Sequence, residues 1–251
     1  MLIENPRGNF HFLKGIAAYS SGVAAHEGHA IVHATLRTPA PLDAGFASMA
    51  RHVQKAGRPM QAVCAVELRS PRQYTFEGFS TFNNSTYRDL LDGHDMLVSG
   101  INPIARTNVV PELNPPPEPS LYAFSYTVPV PGAAARRDFV VAGAGELYED
   151  ELDPRRIVRP NESSDDALRE KAAYVMQRMA LRLQALGAGW DDVSVVNIYT
   201  AFNTFEWLRA EMLAASSGAN AHGVRWHYTR PPILGLEYEM DVRGVSTEIF
   251  L

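Results

Sequence analysis

Apolar and polar positions recur with two different periods along this chain, and the periods outline its elements. Residues 9–13 and 17–23 are short apolar or alternating runs. After the polar turn His26-Glu27-Gly28-His29, residues 30–36 read as a strand, expected to end at Pro39 and Pro41. Leu42, Phe46, Met49 and Val53 then recur at three- and four-residue spacing, an amphipathic helix closed by Gly57. Residues 62–68 read as a strand, 70–84 as a polar stretch, 86–91 as a second helix and 105–110 as a further strand. Five prolines between Pro111 and Pro119 exclude helix and central strand there. Residues 121–128 resume the strand pattern.

Residues 129–135, Pro-Val-Pro-Gly-Ala-Ala-Ala, are the best linker candidate, and beyond them the same order begins again. A strand at 138–142 runs into Gly143, and 146–162 is polar. Ser163-Ser164-Asp165-Asp166 caps a helix with Leu168, Val175, Met176, Met179, Leu183 and Leu186 on one face and Gly187 at its end. A strand at 193–200, a helix at 204–215 and strands at 224–228 and 236–245 follow. Gly22 and Gly143, Arg106 and Arg225, and Gly57 and Gly187 lie 121, 119 and 130 residues apart. The stretch near 148–160 offsets one near 69–84, the pattern of a duplicated unit dividing the chain into 1–130 and 136–251.

Composition narrows the class. The 251 residues are 46% hydrophobic and 10% aromatic, which excludes disorder and supplies a substantial core. The single cysteine, Cys64, lies in an apolar run and excludes a disulfide scaffold. No apolar run approaches about 18 residues, so no membrane span is expected, and Met1 to Gly8 carries Glu4 and Pro6 rather than a signal sequence. A net charge of -5 speaks against a duplex nucleic-acid partner. The expectation is a cytoplasmic protein that acts on a small molecule.

Gly187-Ala188-Gly189-Trp190-Asp191-Asp192-Val193-Ser194-Val195-Val196-Asn197-Ile198-Tyr199-Thr200, followed by Phe205-Glu206-Trp207-Leu208, resembles the RidA family of reactive-intermediate (enamine/imine) deaminases. That family shows a glycine-ended helix, a DDV turn, a valine-rich strand and a short phenylalanine-containing helix. Asn102-Pro103-Ile104-Ala105-Arg106-Thr107-Asn108-Val109 is similar to its NPPARSTV segment, and Tyr19-Ser20-Ser21-Gly22 and Val141-Ala142-Gly143 look like its SG strand end. The resemblance covers nearly the whole chain as two partial copies. It implies an α+β fold of two tandem units of chorismate-mutase-like architecture, each a mixed sheet with two helices on one face. It also implies active clefts between units and a homo-oligomer, a trimer of two-unit chains.

The resemblance further implies site residues. Arg106 matches the arginine that holds a substrate carboxylate, a task suited to the two parallel donors of a guanidinium. Arg225 matches by position, although His222-Gly223-Val224-Arg225 departs from the family pattern; for either arginine the alternative is a surface ion pair. Gly235-Leu236-Glu237-Tyr238-Glu239-Met240-Asp241 is similar to the family's GALVEIE, which puts Glu239 on the glutamate that orients the attacking water. Glu237, Glu239 and Asp241 share one strand face, so a solvated acidic face is the alternative. The matching first-half strand, 121–126, has no carboxylate. A site built from first-half residues alone is therefore in doubt, and a composite of Arg106 with Glu239 stays open. Gly22 and Gly143 either lend backbone groups to the substrate or serve turns; Tyr19 either binds substrate or fills the core.

No metal is expected, because His26, His29 and His33 cross the Gly28 turn and lack the helical His-Glu-x-x-His spacing. Ala142-Gly143-Ala144-Gly145 is not followed by a helix start, and the implied chemistry needs no cofactor. The expected activity is hydrolytic deamination of an enamine or imine carboxylate. Since some members of the family act on 2-aminomuconate in the breakdown of aminated aromatic compounds, a dicarboxylate of that kind ranks first. The alternatives are another hydrolase on the same architecture, such as a chorismatase-like enzyme, and a non-catalytic binding or regulatory protein.

Overall fold

The computed structural model describes residues 1–131, 137–148, 153–214 and 216–251. The period-two runs become strands β1 (Leu2–Asn5), β2 (Phe10–Leu13), β3 (Gly22–Ala25) and β4 (His29–Pro41), with Gly28 at φ 75° turning the chain between the last two. Next come α1 (Leu42–Lys55), β5 (Val63–Arg69) and α2 (Phe76–Phe82), which runs through a π-helical turn (Asn83–Tyr87) into α3 (Arg88–Gly93). Strands β6 (Ala105–Pro111), β7 (Ser120–Pro129) and β8 (Phe139–Gly145) precede the long α4 (Asp165–Ala185). Then follow β9 (Val195–Tyr199), α5 (Phe205–Leu208) with its π-helical continuation (Arg209–Leu213), and α6 (Ser217–His222). The chain ends with β10 (Arg225–His227), β11 (Thr229–Arg230), β12 (Glu239–Gly244) and β13 (Thr247–Phe250).

The fold is α+β, with two mixed sheets. One sheet has the order β1-β2-β3-β8-β12-β9-β10, the other β11-β6-β5-β7-β4-β13. Sheet membership does not follow the division of the chain into 1–130 and 136–251. The amino-terminal strands β1 to β3 extend the sheet of the second half, through β3 against β8. In return β13 pairs with β4 and β11 with β6 in the sheet of the first half. Asp138 sits where both exchanges cross. Its carboxylate accepts from the Ile31 amide at 2.7 Å, and from the Ser246 amide and hydroxyl at 2.9 and 2.8 Å. Of the expected linker 129–135, Pro129 ends β7, and residues 132–135 lie outside the described residues, as does Ala215 at the expected end of a helix.

Packing follows the amphipathic patterns. Leu42, Phe46, Met49 and Val53 of α1 join Val66, Leu68, Leu121 and Phe124 in one core. α4 starts at Ser164, whose hydroxyl accepts from the Ala167 amide at 3.3 Å, with Asp165 and Asp166 favourably placed near the helix amino terminus. Its apolar face packs on Val141, Val196, Ile198, Met240 and Val242. The opposite faces of the two sheets meet in a third cluster, including Phe10, Phe12, Cys64, Ala65, Ala105 and Ala142. The alanines there let the backbones approach closely.

Some elements differ from the expected pattern. β4 continues through Pro39 to Pro41 because β13 covers it only from Val32 to Thr35; beyond that it is an edge, where proline is tolerated. The polar stretch 70–84 contains α2, which buries Phe79 and Phe82. Gly22 opens β3 instead of ending a strand, because the chain from Ile16 to Ser21 crosses the other sheet. The Ser20 amide donates to the Ile104 carbonyl at 2.9 Å there.

Candidate active site

Alternation along β12 separates two environments. Met240 and Val242 point toward α4, whereas Glu239, Asp241 and Arg243 point the other way. The second sheet covers that face, so Glu239 and Asp241 are buried and no solvated acidic face exists. Glu237 is half-buried and pairs with Arg230.

Arg106, at the start of β6 in the opposite sheet, is only 2% exposed. Its Nη1 donates to Asn83 Oδ1, and Asn83 is held in turn by its Nδ2 bond to the Phe79 carbonyl at 2.6 Å. Asn83 opens the π-helical turn, a distortion often found at functional sites. The guanidinium lies 4.7 Å from the Tyr87 ring centre, 5.2 Å from Tyr19 and 5.5 Å from Phe79. Its Nε and Nη2 have no hydrogen-bond partner among the described residues. These two atoms form one edge of the planar group, the edge that grips a carboxylate with two parallel bonds. Burying a cation with most of its donors unused is unfavourable unless an anion completes it.

Arg106, Glu239, Tyr19 and Gly143 line one cavity of about 780 Å³, counting its open mouth. Asn108 lines it too, two residues beyond Arg106 on β6. Its Oδ1 accepts from Ser70 Oγ at 2.9 Å, while its buried Nδ2 has no partner among the described residues. Gly143 lies where Ala142 and Gly143 of β8 oppose Asp241 alone, a β-bulge that redirects the backbone. A Cβ on Gly143 would sit 2.1 Å from Glu239 Oε1 and 3.2 Å from the Thr107 Cα. Only glycine lets the carboxyl occupy this place between the sheets.

Burial pushes the Glu239 carboxyl well above the usual carboxylate range, and the negative charge of Asp241 pushes it further, against the pull of Arg106. Asp241 is anchored by Thr107 Oγ1 at 2.6 Å, Asn197 Nδ2 at 2.7 Å and the Tyr199 hydroxyl at 2.8 Å. Glu239 is therefore protonated where an ordinary glutamate is ionised. Such a group can give up a proton and then act as a base.

The other expected site residues lie elsewhere. Arg225 is on the three-residue edge strand β10, half exposed, and its Nη2 bonds Glu248 Oε2 at 2.9 Å. It does not line the cavity, because β13 returns past β10 and supplies the neutralising carboxylate. Gly22 also stands outside the cavity, packed under Leu186. Cys64 is buried, and burial raises its thiol pKa. Among the described residues there is no cluster of three or more histidine, cysteine or acidic side chains able to hold a metal ion, and no helix long and apolar enough to cross a membrane.

A buried arginine fork and a carboxyl of raised pKa thus share one cavity, an arrangement able to hold an organic anion and exchange protons with it. Residues 2–249 match the family described as 2-aminomuconate deaminase CnbZ, and the chain belongs to that family. It is 39% identical over 250 residues to 2-amino-5-chloromuconate deaminase of Comamonas testosteroni, an alignment covering 97% of this chain and 96% of that protein. Among solved structures, a chorismatase aligns over 90% of this chain and 77% of its own, with TM-score 0.46 and 13% identity. The YjgF gene product of E. coli aligns over 46% of this chain and 88% of its own, with TM-score 0.31 and 13% identity.

Proposed function

We propose that the protein deaminates a 2-aminomuconate-like enamine carboxylate by hydrolysis, without a cofactor, in the Arg106–Glu239 cavity. The observation that carries this reading is the buried Arg106 with its unused Nε–Nη2 edge, in the same cavity as a carboxyl held protonated. The carboxylate beside the amino-bearing carbon takes that edge, with Asn108 Nδ2 as a further donor. Glu239 gives its proton to the carbon next to the amino-bearing one: the C=C pair forms the new C–H bond and the nitrogen lone pair forms C=N, leaving the protonated imine and the Glu239 carboxylate. The Glu239 carboxylate then takes a proton from water as the water oxygen bonds to the imine carbon. In that adduct Glu239 passes its proton to the nitrogen and takes the hydroxyl proton as the C–N bond breaks, which releases ammonia and leaves the 2-oxo acid. The backbone at Gly143 lies against Glu239 and fixes its approach.

Incubation of purified protein with freshly generated 2-aminomuconate should release ammonia at the rate at which the diene absorbance is lost. Release from neither this compound nor its chloro analogue nor a 2-aminoacrylate-type enamine would sink the reading. Arg106→Gln should lower kcat/KM by roughly 100-fold, since charge-assisted bonds contribute about 1.5–3 kcal/mol. Gly143→Ala forces the Glu239 carboxyl aside and should lower kcat by about 100-fold, with KM much less affected. The same reading includes a cytoplasmic location and association of three chains, which light scattering of the eluting protein would check. A monomer would leave the site whole, because every residue invoked comes from one chain.

A further inference from the structure

We infer that Asn108 determines which acid derivative the cavity accepts beside Arg106, and that Ser70 and Tyr74 are positioning residues that turn its amide nitrogen toward the substrate. The inference deepens the deaminase reading, on which its choice of a carboxylate ligand rests. Asn108 follows Arg106 by two residues on β6, so both side chains leave the strand on one face, and both line the cavity. Asn108 is 3% exposed, and its Nδ2 is a buried donor without a partner among the described residues. Burying such a donor is costly unless a ligand takes it.

The other end of the amide is already bonded. Ser70, directly after β5, donates from Oγ to Asn108 Oδ1 at 2.9 Å, and the Tyr74 hydroxyl lies 3.3 Å from the same Oγ. An amide oxygen only accepts, so the serine proton is committed to it and the tyrosine hydroxyl is the donor to Ser70. Both hydroxyls are fixed by backbone. The Ser70 amide donates to the Val109 carbonyl at 2.9 Å, and the Tyr74 amide donates to the Pro232 carbonyl at 2.7 Å. The Tyr74 ring also stacks on Phe82, with centres 5.4 Å apart. Turning the amide over would present an acceptor to the anion that Arg106 attracts. The unused groups of Arg106 and Asn108 are thus all donors: Nε, Nη2 and Nδ2. An ionised carboxylate only accepts and satisfies every one of them. A carboxamide places its own N–H groups against one of these donors, and a site built for one hydrogen-bonding pattern rejects the other.

The test compares sorbate with its amide, one six-carbon diene with a carboxylate or a carboxamide end, by calorimetry on the full chain. The unsubstituted protein should bind sorbate about 100-fold more tightly, and Asn108→Leu should weaken sorbate about 10- to 100-fold, the range for a hydrogen bond to a charged group. Asn108→Asp, of equal size, replaces the donor with an acceptor and should bring the ratio of the two affinities to about unity or below. Ser70→Ala should weaken sorbate about 3- to 10-fold in the unsubstituted protein but less than about twofold in the N108L background, because its effect passes through that amide. Ser70→Thr keeps the hydroxyl and should restore sorbate binding. Sorbate binding unchanged by Asn108→Leu would overturn the inference, as would a sorbate preference that survives Asn108→Asp or a Ser70→Ala loss of equal size in both backgrounds. No turnover is measured, so the two ideas fail separately. A protein with this binding pattern that releases no ammonia keeps the selectivity and loses the reaction, and the reverse result loses the selectivity alone.

Discussion

Glu239→Gln is expected to lower deamination by about 10²–10⁴-fold, the usual contribution of a positioned acid–base group, and at the same time to make the protein more stable at pH 8. The two effects share one cause. Burial and the charge of Asp241 raise the folded-state pKa of Glu239 well above the unfolded value near 4.3. The folded protein therefore holds this proton at pH values where the unfolded chain has released it. Stability linked to the group is greatest below about pH 4.3 and declines as pH rises from there toward the folded-state pKa. Glutamine fills the same space, never ionises, and escapes that decline. The stability gap between variant and parent should thus open with rising pH. Each kcal/mol of it moves the thermal midpoint by roughly 2–4 °C in a domain of this size. Melting curves at pH 5 and pH 8 read the gap directly. A gap that does not widen between pH 5 and pH 8 would mean that the folded-state pKa of Glu239 is not raised, and the proton-donor step would have to be reassigned.

The chemistry of this site was more legible in the sequence than its setting. Arg106 and Glu239 were visible because each sits in a motif, and alternation along the last long strand already put Glu239 and Asp241 on one face. What alternation could not say was whether water or another sheet covered that face; a face-to-face partner is a tertiary fact with no local signature. The same limit hid the partner of Arg225. Its spacing from Arg106 matched, but β13 brings Glu248 to it from the carboxyl terminus, and pairing between β13 and β4 is a contact across most of the chain. The strand exchange was hidden for the same reason, since an isolated hairpin pattern does not specify which sheet it joins.

Asn83 and Asn108 escaped notice for different reasons. Asn108 follows from alternation once Arg106 is accepted, because residues two apart on a strand share a face. Asn83 depends on a π-helical turn inside a stretch whose polar residues mask the spacing of Phe76, Phe79 and Phe82.

Lys171→Met should destabilise the protein by about 3–5 kcal/mol, the range for removing one partner of a buried ion pair. On pattern alone Lys171 is an ordinary helix lysine, yet it lies three residues after Leu168 and four before Val175, on the face that α4 buries. Its side chain is fully enclosed, as is that of Glu146, and Nζ meets Glu146 Oε1 at 3.1 Å. Glu146 also accepts from the Glu237 amide at 2.6 Å and the Tyr238 amide at 3.1 Å, so it clamps the backbone that leads into β12. Burial pushes the Glu146 carboxyl upward, while Lys171 and those amides pull it down. Without the lysine the carboxylate is stranded, and protonation becomes its cheapest relief. The folded-state pKa then climbs further above the unfolded value near 4.3, so the loss of stability should be full at pH 8 and shrink as pH falls toward 5. A double variant, Lys171→Met with Glu146→Gln, should recover part of the loss, because the amide oxygen still accepts from the backbone and no charge remains. Urea denaturation of the three variants at both pH values measures this. A loss that does not change with pH, or a double variant no better than the single, would show that the pair contributes packing and not charge compensation. Activity gives an independent reading, since Glu239 directly follows the clamped residues: the single variant should lose turnover at temperatures well below its own unfolding, and the double variant should regain it.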